Sequence, residues 1–251
     1  METGRKTEQQ YWDDLHAAAP PRMRLPSALR IDALNFMRLM RAHVRPGMRV
    51  LEVGFAPGKY LAWVGKVLQS NVAGVDYAAS GVDTARRLFE VVDLKGDLRC
   101  EDFFETSFRP GSFDIVYSLG VIEHFDDPRP IVRKHVELLA PGGKALIVIP
   151  NYRGVYGTVQ RYFDPANLDL HNTDIMSTDA LRRVAPTDLP VDVDVFAFGR
   201  LVPGLICWHM KLPNLAVQGI GLAVNTVGLL QPRDWAPACP WLVLRISSRA
   251  A

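Results

Sequence analysis

The chain has 251 residues, 48% of them apolar and 22% charged, and a net charge of +2. These values exclude disordered, collagen-like and fibrous classes and suit a single α/β domain with a large core. The three cysteines, Cys100, Cys207 and Cys239, are far apart, so neither a disulfide framework nor a zinc cluster is expected, and a cytoplasmic location is the simplest. Met1–Gln10 is polar with no apolar segment behind it, and no run of about 18 apolar residues occurs, so neither a signal peptide nor a spanning helix is expected.

The first 45 residues read as a helical lid. From Arg22 to Arg49 there are seven arginines against one acid, Asp32, which suits a solvated helix face or attraction to an anionic partner. A strand follows over 48–53, then a helix over 58–68 with Leu61, Val64 and Leu68 on one face. A second strand covers 71–75, and Ser80 is positioned to cap a helix running to about Val92. Strands are predicted over 97–100 and 113–117. A helix over 130–139 is predicted to stop at Pro141-Gly-Gly143, ahead of a strand over 144–149. Alternation of strand and helix implies a parallel sheet covered on both faces. Residues 46–150 would form the cofactor-binding core of a single domain, and 151–251 the acceptor side. In the latter, a helix over 178–184 precedes strands over 190–198 and 241–246, which suggests an antiparallel edge. Between them lies an apolar insertion over 201–232 in which only Lys211 is charged. Its segment 214–230 carries a thin polar or small stripe at Asn214, Gln218, Gly221, Asn225 and Gly228, one face of a helix. That helix is expected to be buried in the fold or in a homodimer, with peripheral contact to lipid as the other reading.

The chemistry concentrates at the ends of successive strands. Val50-Leu-Glu-Val-Gly-Phe-Ala-Pro-Gly58 is a strand, a glycine turn and a helix start, the place where open α/β sheets bind ligands. Gly54 and Gly58 would let backbone approach the ligand without a Cβ in the way. The spacing fits neither G-x-G-x-x-G nor a phosphate-binding P-loop. Glu52 before the turn would attract a cationic amine. Asp76, at the next strand end, suits both hydroxyls of a ribose. Asp102-Phe103 suits an adenine, by a bond to the exocyclic amine and packing on the ring. Together the three acids fit a ligand with an aminoacyl part, a ribose and an adenine.

Over Val44–Asn151 the sequence resembles the class I S-adenosylmethionine-dependent methyltransferases. The resemblance rests on Leu51–Gly58, Gly74-Val-Asp76, Glu101-Asp-Phe103, Phe113–Phe125 and Leu139-Ala-Pro-Gly-Gly143. It departs from the usual first loop at Phe55-Ala56. It implies a doubly wound, mostly parallel seven-stranded Rossmann-like sheet, S-adenosyl-L-methionine as cofactor and S-adenosyl-L-homocysteine as product. Glu52 and Gly54 would lie at the methionine moiety, Asp76 at the ribose, and Asp102 and Phe103 at the adenine. Phe55, Gly58, Tyr77 and Leu119 would be further cofactor contacts.

After the fourth strand, where the acceptor should lie, stands Glu123-His124. A neutral imidazole can take a proton from a hydroxyl near pH 7, so His124 is the candidate general base, with His171 as a second. An unperturbed histidine implies a rate that falls below about pH 6. In relatives acting on quinone precursors a Glu-His pair holds a metal with a Glu three residues earlier. Here that position is Gly120, so no metal is expected. Tyr11, Trp12, Arg22, Tyr162 and Asn172 are candidates to close over the site. The expected activity is methyl transfer to a small-molecule hydroxyl. N- or C-methylation of a small molecule, lipid or glycan intermediate is the alternative, and a non-catalytic cofactor-binding protein the second. No nucleic-acid partner is expected, since the arginines lack interleaved aromatics.

Overall fold

The computed structural model describes residues 4–18 and 23–249. Arg22 lies outside them. The strands are β1 (Arg49–Val53), β2 (Asn71–Asp76), β3 (Asp97–Cys100), β4 (Phe113–Leu119), β5 (Leu139–Pro150), β6 (Val191–Phe198) and β7 (Trp241–Ser248). They form one sheet in the order β3-β2-β1-β4-β5-β7-β6. Pairing is parallel from β3 through β5, while β7 runs antiparallel to both neighbours, so the reversed strand is inside the sheet and β6 is its edge.

The helices are α1 (Gln9–Ala18), α2 (Ile31–His43), α3 (Lys59–Leu68), α4 (Ala79–Val91), α5 (Arg129–Glu137), α6 (Val155–Phe163), α7 (Pro165–Asp169), α8 (Thr178–Arg182) and α9 (Asn214–Leu230). Period-two alternation sends neighbouring strand residues into opposite layers. Leu51, Val116 and Ile147 pack with Ile131 of α5 and Leu181 of α8. Val50, Ile115, Tyr117 and Leu146 pack with α2, α3 and α4. Strand order reverses between β1 and β4, and the crevice at their carboxyl ends is where such sheets take ligands.

Four expectations are corrected. Ser80 does not cap α4: the residue before the helix is Ala78, and the Ser80 hydroxyl instead bonds Asp13 of α1 at 2.9–3.0 Å. Pro141-Gly-Gly143 lies within β5, where Phe113 pairs with Leu139 but Ile115 with Lys144, leaving the intervening residues as a bulge. The lid is shorter than residues 1–45, because α2 buries Ile31, Phe36, Leu39 and Met40 and is a core helix. Finally, α9 is not buried in the fold: of its 17 residues only Gly228 is buried. No helix among the described residues is long and apolar enough to cross a membrane. Part of the arginine excess is neutralised within the fold, through Arg38–Asp234 and Arg49–Asp114, both at 2.7 Å.

Candidate active site

A cavity opens at the switch point, where open α/β sheets take small molecules. Gly54, Asp76, Tyr77, Phe103, Leu119 and His124 all line it. Gly54 leaves β1 at φ +70°, and a Cβ there would stand 2.7 Å from the Val121 side chain, so only glycine fits. Asp76, nearly buried, staples the turn: its two oxygens accept from the N–H groups of Ala56 and Ala78, each at 2.9 Å. Burial pushes its carboxyl above the ordinary range despite those bonds.

Three expected contacts face elsewhere. Phe55 is 2% exposed and packs in the core over Gly74. Gly58, at φ +86°, serves helix packing: a Cβ there would meet Cβ of Ala85 in α4 at 2.5 Å. Glu52 is enclosed behind the turn, where the hydroxyl of Tyr117 donates to it at 2.6 Å, and burial pushes its carboxyl up to about 8. That partner had a signal in the sequence only through register, since Glu52 and Tyr117 are opposed residues of β1 and β4.

Asp102 caps the short turn over Phe103–Glu105 by accepting from the Phe104 N–H at 3.0 Å. Its other oxygen accepts from Arg5 at 2.5 Å. Arg5 is the main residue that sequence reasoning missed. Its guanidinium lies 5.1 Å from the Tyr77 ring centre and 5.8 Å from those of Phe104 and Phe125, inside the region expected to take the adenine. The arm is pinned by backbone bonds, Lys6 N–H to the His124 carbonyl and Asp126 N–H to the Gly4 carbonyl, each at 2.8 Å. Behind it α1 packs on α4, and Gln9 donates to the Tyr77 carbonyl at 2.7 Å.

On the opposite wall His124 is 8% exposed, with Nδ1 at 2.9 Å from the Leu170 carbonyl and the Trp12 ring edge-on at 5.2 Å. Burial, with His171 beside it, lowers its pKa to about 4. It therefore stays neutral well below the pH 6 that a free histidine implies. His171 lies 4.7 Å away ring to ring, its Nδ1 at 2.7 Å from the Asn167 carbonyl, but it does not line the cavity. Trp12 lines the cavity, whereas Tyr11 and Tyr162 are exposed and Asn172 holds the carbonyls of Phe125 and Asp126. Glu123, His124 and His171 could hold a metal ion: one ligand atom from each lies within 4.8 Å of the others. Glu123 is fully enclosed, with one oxygen unpartnered and its carboxyl pushed up to about 8 by burial.

The polar rim at Asp76 and the apolar wall of Phe103, Leu119, Val121 and Ile131 fit a nucleoside with a ribose at one end and a base against the ring. Residues 51–147 match the family model described as a methyltransferase domain. Over 101 residues the chain is 36% identical to the ubiquinone biosynthesis O-methyltransferase of Neisseria meningitidis, covering 39% of this chain and 42% of that protein. Among solved structures, the [4+2]-cyclase SpnF superposes with a TM-score of 0.62 at 15% identity, over 98% of this chain and 97% of that one. A Haemonchus contortus phosphoethanolamine N-methyltransferase, solved with S-adenosylhomocysteine, gives 0.60 at 19% identity, over 87% of this chain and 53% of that one. Residues 51–147 are thus similar to a methyltransferase domain, on the Rossmann-like fold of S-adenosylmethionine-dependent methyltransferases. The chain spans about half the length, or less, of the curated relatives it matches.

Proposed function

We propose that the protein transfers the methyl group of S-adenosylmethionine to a hydroxyl of a small-molecule acceptor, with His124 receiving the hydroxyl proton. The observation that carries this reading is the His124 imidazole on the wall of the cavity that also holds Gly54 and Asp76. The bound cofactor supplies an electrophilic methyl on a sulfonium sulfur. The chain does the rest. Asp76 keeps lone pairs free for ribose hydroxyls while holding the turn. With Nδ1–H donated to Leu170, Nε2 is left as the proton acceptor of a neutral ring. Trp12 and the N-terminal arm narrow access of water to that ring.

Oxygen is favoured over nitrogen or carbon by the similarity to the Neisseria O-methyltransferase. The fold alone does not choose, since a cyclase shares it. The test offers the protein S-adenosylmethionine with matched phenol, amine and carbon-acid acceptors and reads S-adenosylhomocysteine formation. Transfer to the hydroxyl is expected, with His124→Ala lowering kcat about 10²–10⁴-fold while affinity for S-adenosylhomocysteine holds. Transfer to the amine alone, or near-parental kcat in the variant, overturns the assignment.

The unpartnered Glu123 oxygen favours a second reading, in which Glu123, His124 and His171 hold a divalent ion beside the acceptor. A chelator would then abolish transfer, and His171→Ala would weaken binding of the metal alone. On the first reading neither treatment has that effect.

A further inference from the structure

Helix α9 leaves large apolar side chains exposed that a helix on a water-facing surface would turn inward. It meets the protein through Asn225 and Gly228. Asn225 accepts from the Ile31 N–H at 2.9 Å and donates to the Leu29 carbonyl at 3.0 Å. Gly228 is the close contact: a Cβ there would stand 2.3 Å from the Leu201 carbonyl oxygen and 2.8 Å from Ile31. Four of the larger apolar side chains point outward, with Leu215 82%, Leu222 70%, Val227 56% and Leu230 78% exposed, while Leu229 packs toward Ile31. The outward face also includes Gln218, Gly219, Ala223 and Thr226, and α9 contains no charged residue at all. Bulky apolar groups flank it, Met210 before and Trp235 after it in the chain, Tyr162 under Lys211 and Leu29 beside Asn225, each more than half exposed.

The segment that carries this face has charge of one sign, and the nearby acid Asp32 is paired with Arg30. From Arg200 to Arg233 there are three cations, Arg200, Lys211 and Arg233, and no acid. Lys211 sits over the Tyr162 ring at 4.1 Å, at the start of α9, and Arg233 is exposed just past its end. Asp234, next in the chain, is taken by Arg38. An apolar face framed by cations and interfacial aromatics matches the headgroup and acyl boundary of an anionic bilayer. A second copy of the chain matches it less well. Whether two α9 helices met parallel or antiparallel about a two-fold axis, cations would face cations at both ends. At 17 residues, about 25 Å long, and tied to α2 through Asn225, the helix lies along such a surface rather than through it.

We infer that the outward face of α9, with Lys211 and Arg233 at its ends, docks the protein in the plane of an anionic lipid bilayer. The inference does not depend on which acceptor is methylated. It is tested by co-sedimentation with vesicles of phosphatidylglycerol mixed with phosphatidylcholine, against phosphatidylcholine alone. Binding to the anionic vesicles is expected, weakened by salt. Leu222→Glu with Leu230→Glu should reduce it at least about tenfold, and Lys211→Glu with Arg233→Glu should remove its salt dependence. All four residues are exposed, so circular dichroism of the variants should match the parent. Failure of the parent to bind, or equal binding by the leucine variant, overturns the inference. So does a concentration-dependent dimer that the leucine variant splits and that ignores vesicles, since a second copy would then be the occupant.

Discussion

Arg5 and the expected adenine amine have the same partner. The guanidinium takes one oxygen of Asp102 and lies against Tyr77, so the arm and the cofactor compete for one carboxylate. Its Nε is buried without a partner, which lowers the net value of the contact. Both side chains are partly exposed, and an ion pair in that setting is worth about 1 kcal/mol or less. Arg5→Ala should therefore tighten S-adenosylhomocysteine binding by about two- to fivefold in calorimetry. Binding weakened tenfold would mean that the arm clamps the base instead of yielding to it. The residue was invisible in the sequence because 97 positions separate it from Asp102 and nothing local marks it. Asp76, by contrast, stands where the end of β2 puts it, and a strand followed by an acid is a local pattern.

The glycine turn between β1 and α3 does two jobs with two glycines. Gly54 keeps the cleft open, while Gly58 lets α3 and α4 come together. At φ +86° an alanine pays backbone strain of roughly 1–2 kcal/mol, before the contact with Ala85 is counted. Gly58→Ala should lower stability by about 2–4 kcal/mol in urea, and Ala85→Gly in the same chain should recover part of the loss. A change under about 0.5 kcal/mol would show that the turn relaxes freely. The motif was legible as a ligand-binding turn, but its two glycines were not separable, because the neighbour of Gly58 comes from the next helix. Helix α9 makes the same point in reverse. Its narrow stripe is legible as one face of a helix, yet only the partners of Asn225 and Gly228 show that the second half of this stripe looks inward, while Asn214 and Gln218 stay exposed.

Buried titratable groups give the whole molecule a pH profile. Burial pushes Glu52 up to about 8, and the Tyr117 hydroxyl only partly opposes it. The folded state therefore holds a proton that the unfolded chain has lost, and stability from this group falls as pH rises toward 8. Glu123 acts with the same sign. Burial lowers His135 to about 4, so its stability contribution is complete above pH 6.5 and lost on acidification toward 4. Between pH 6.5 and 8 the glutamates thus act unopposed by His135. Each can contribute a loss on the order of 2 kcal/mol there. The urea midpoint should fall across that interval, and Glu52→Gln should flatten part of the fall. An identical slope in the variant would refute the assignment.

The strand-helix alternation, the parallel core and the three acids at consecutive strand ends were all written locally, in side-chain period and turn chemistry, and needed no partner to be read. Residues 48–150 carried that information because side-chain period and turn chemistry belong to each element by itself, even where its strand partner is distant, as β4 is from β1. The orientation of α9, the enclosure of Glu52 by Tyr117, the convergence of His124 with His171 and the insertion of Arg5 were decided by packing between segments distant in the chain. A side chain's role in those places depends on which way its element turns and on what already occupies its bonds, and neither is encoded within a window of sequence around it.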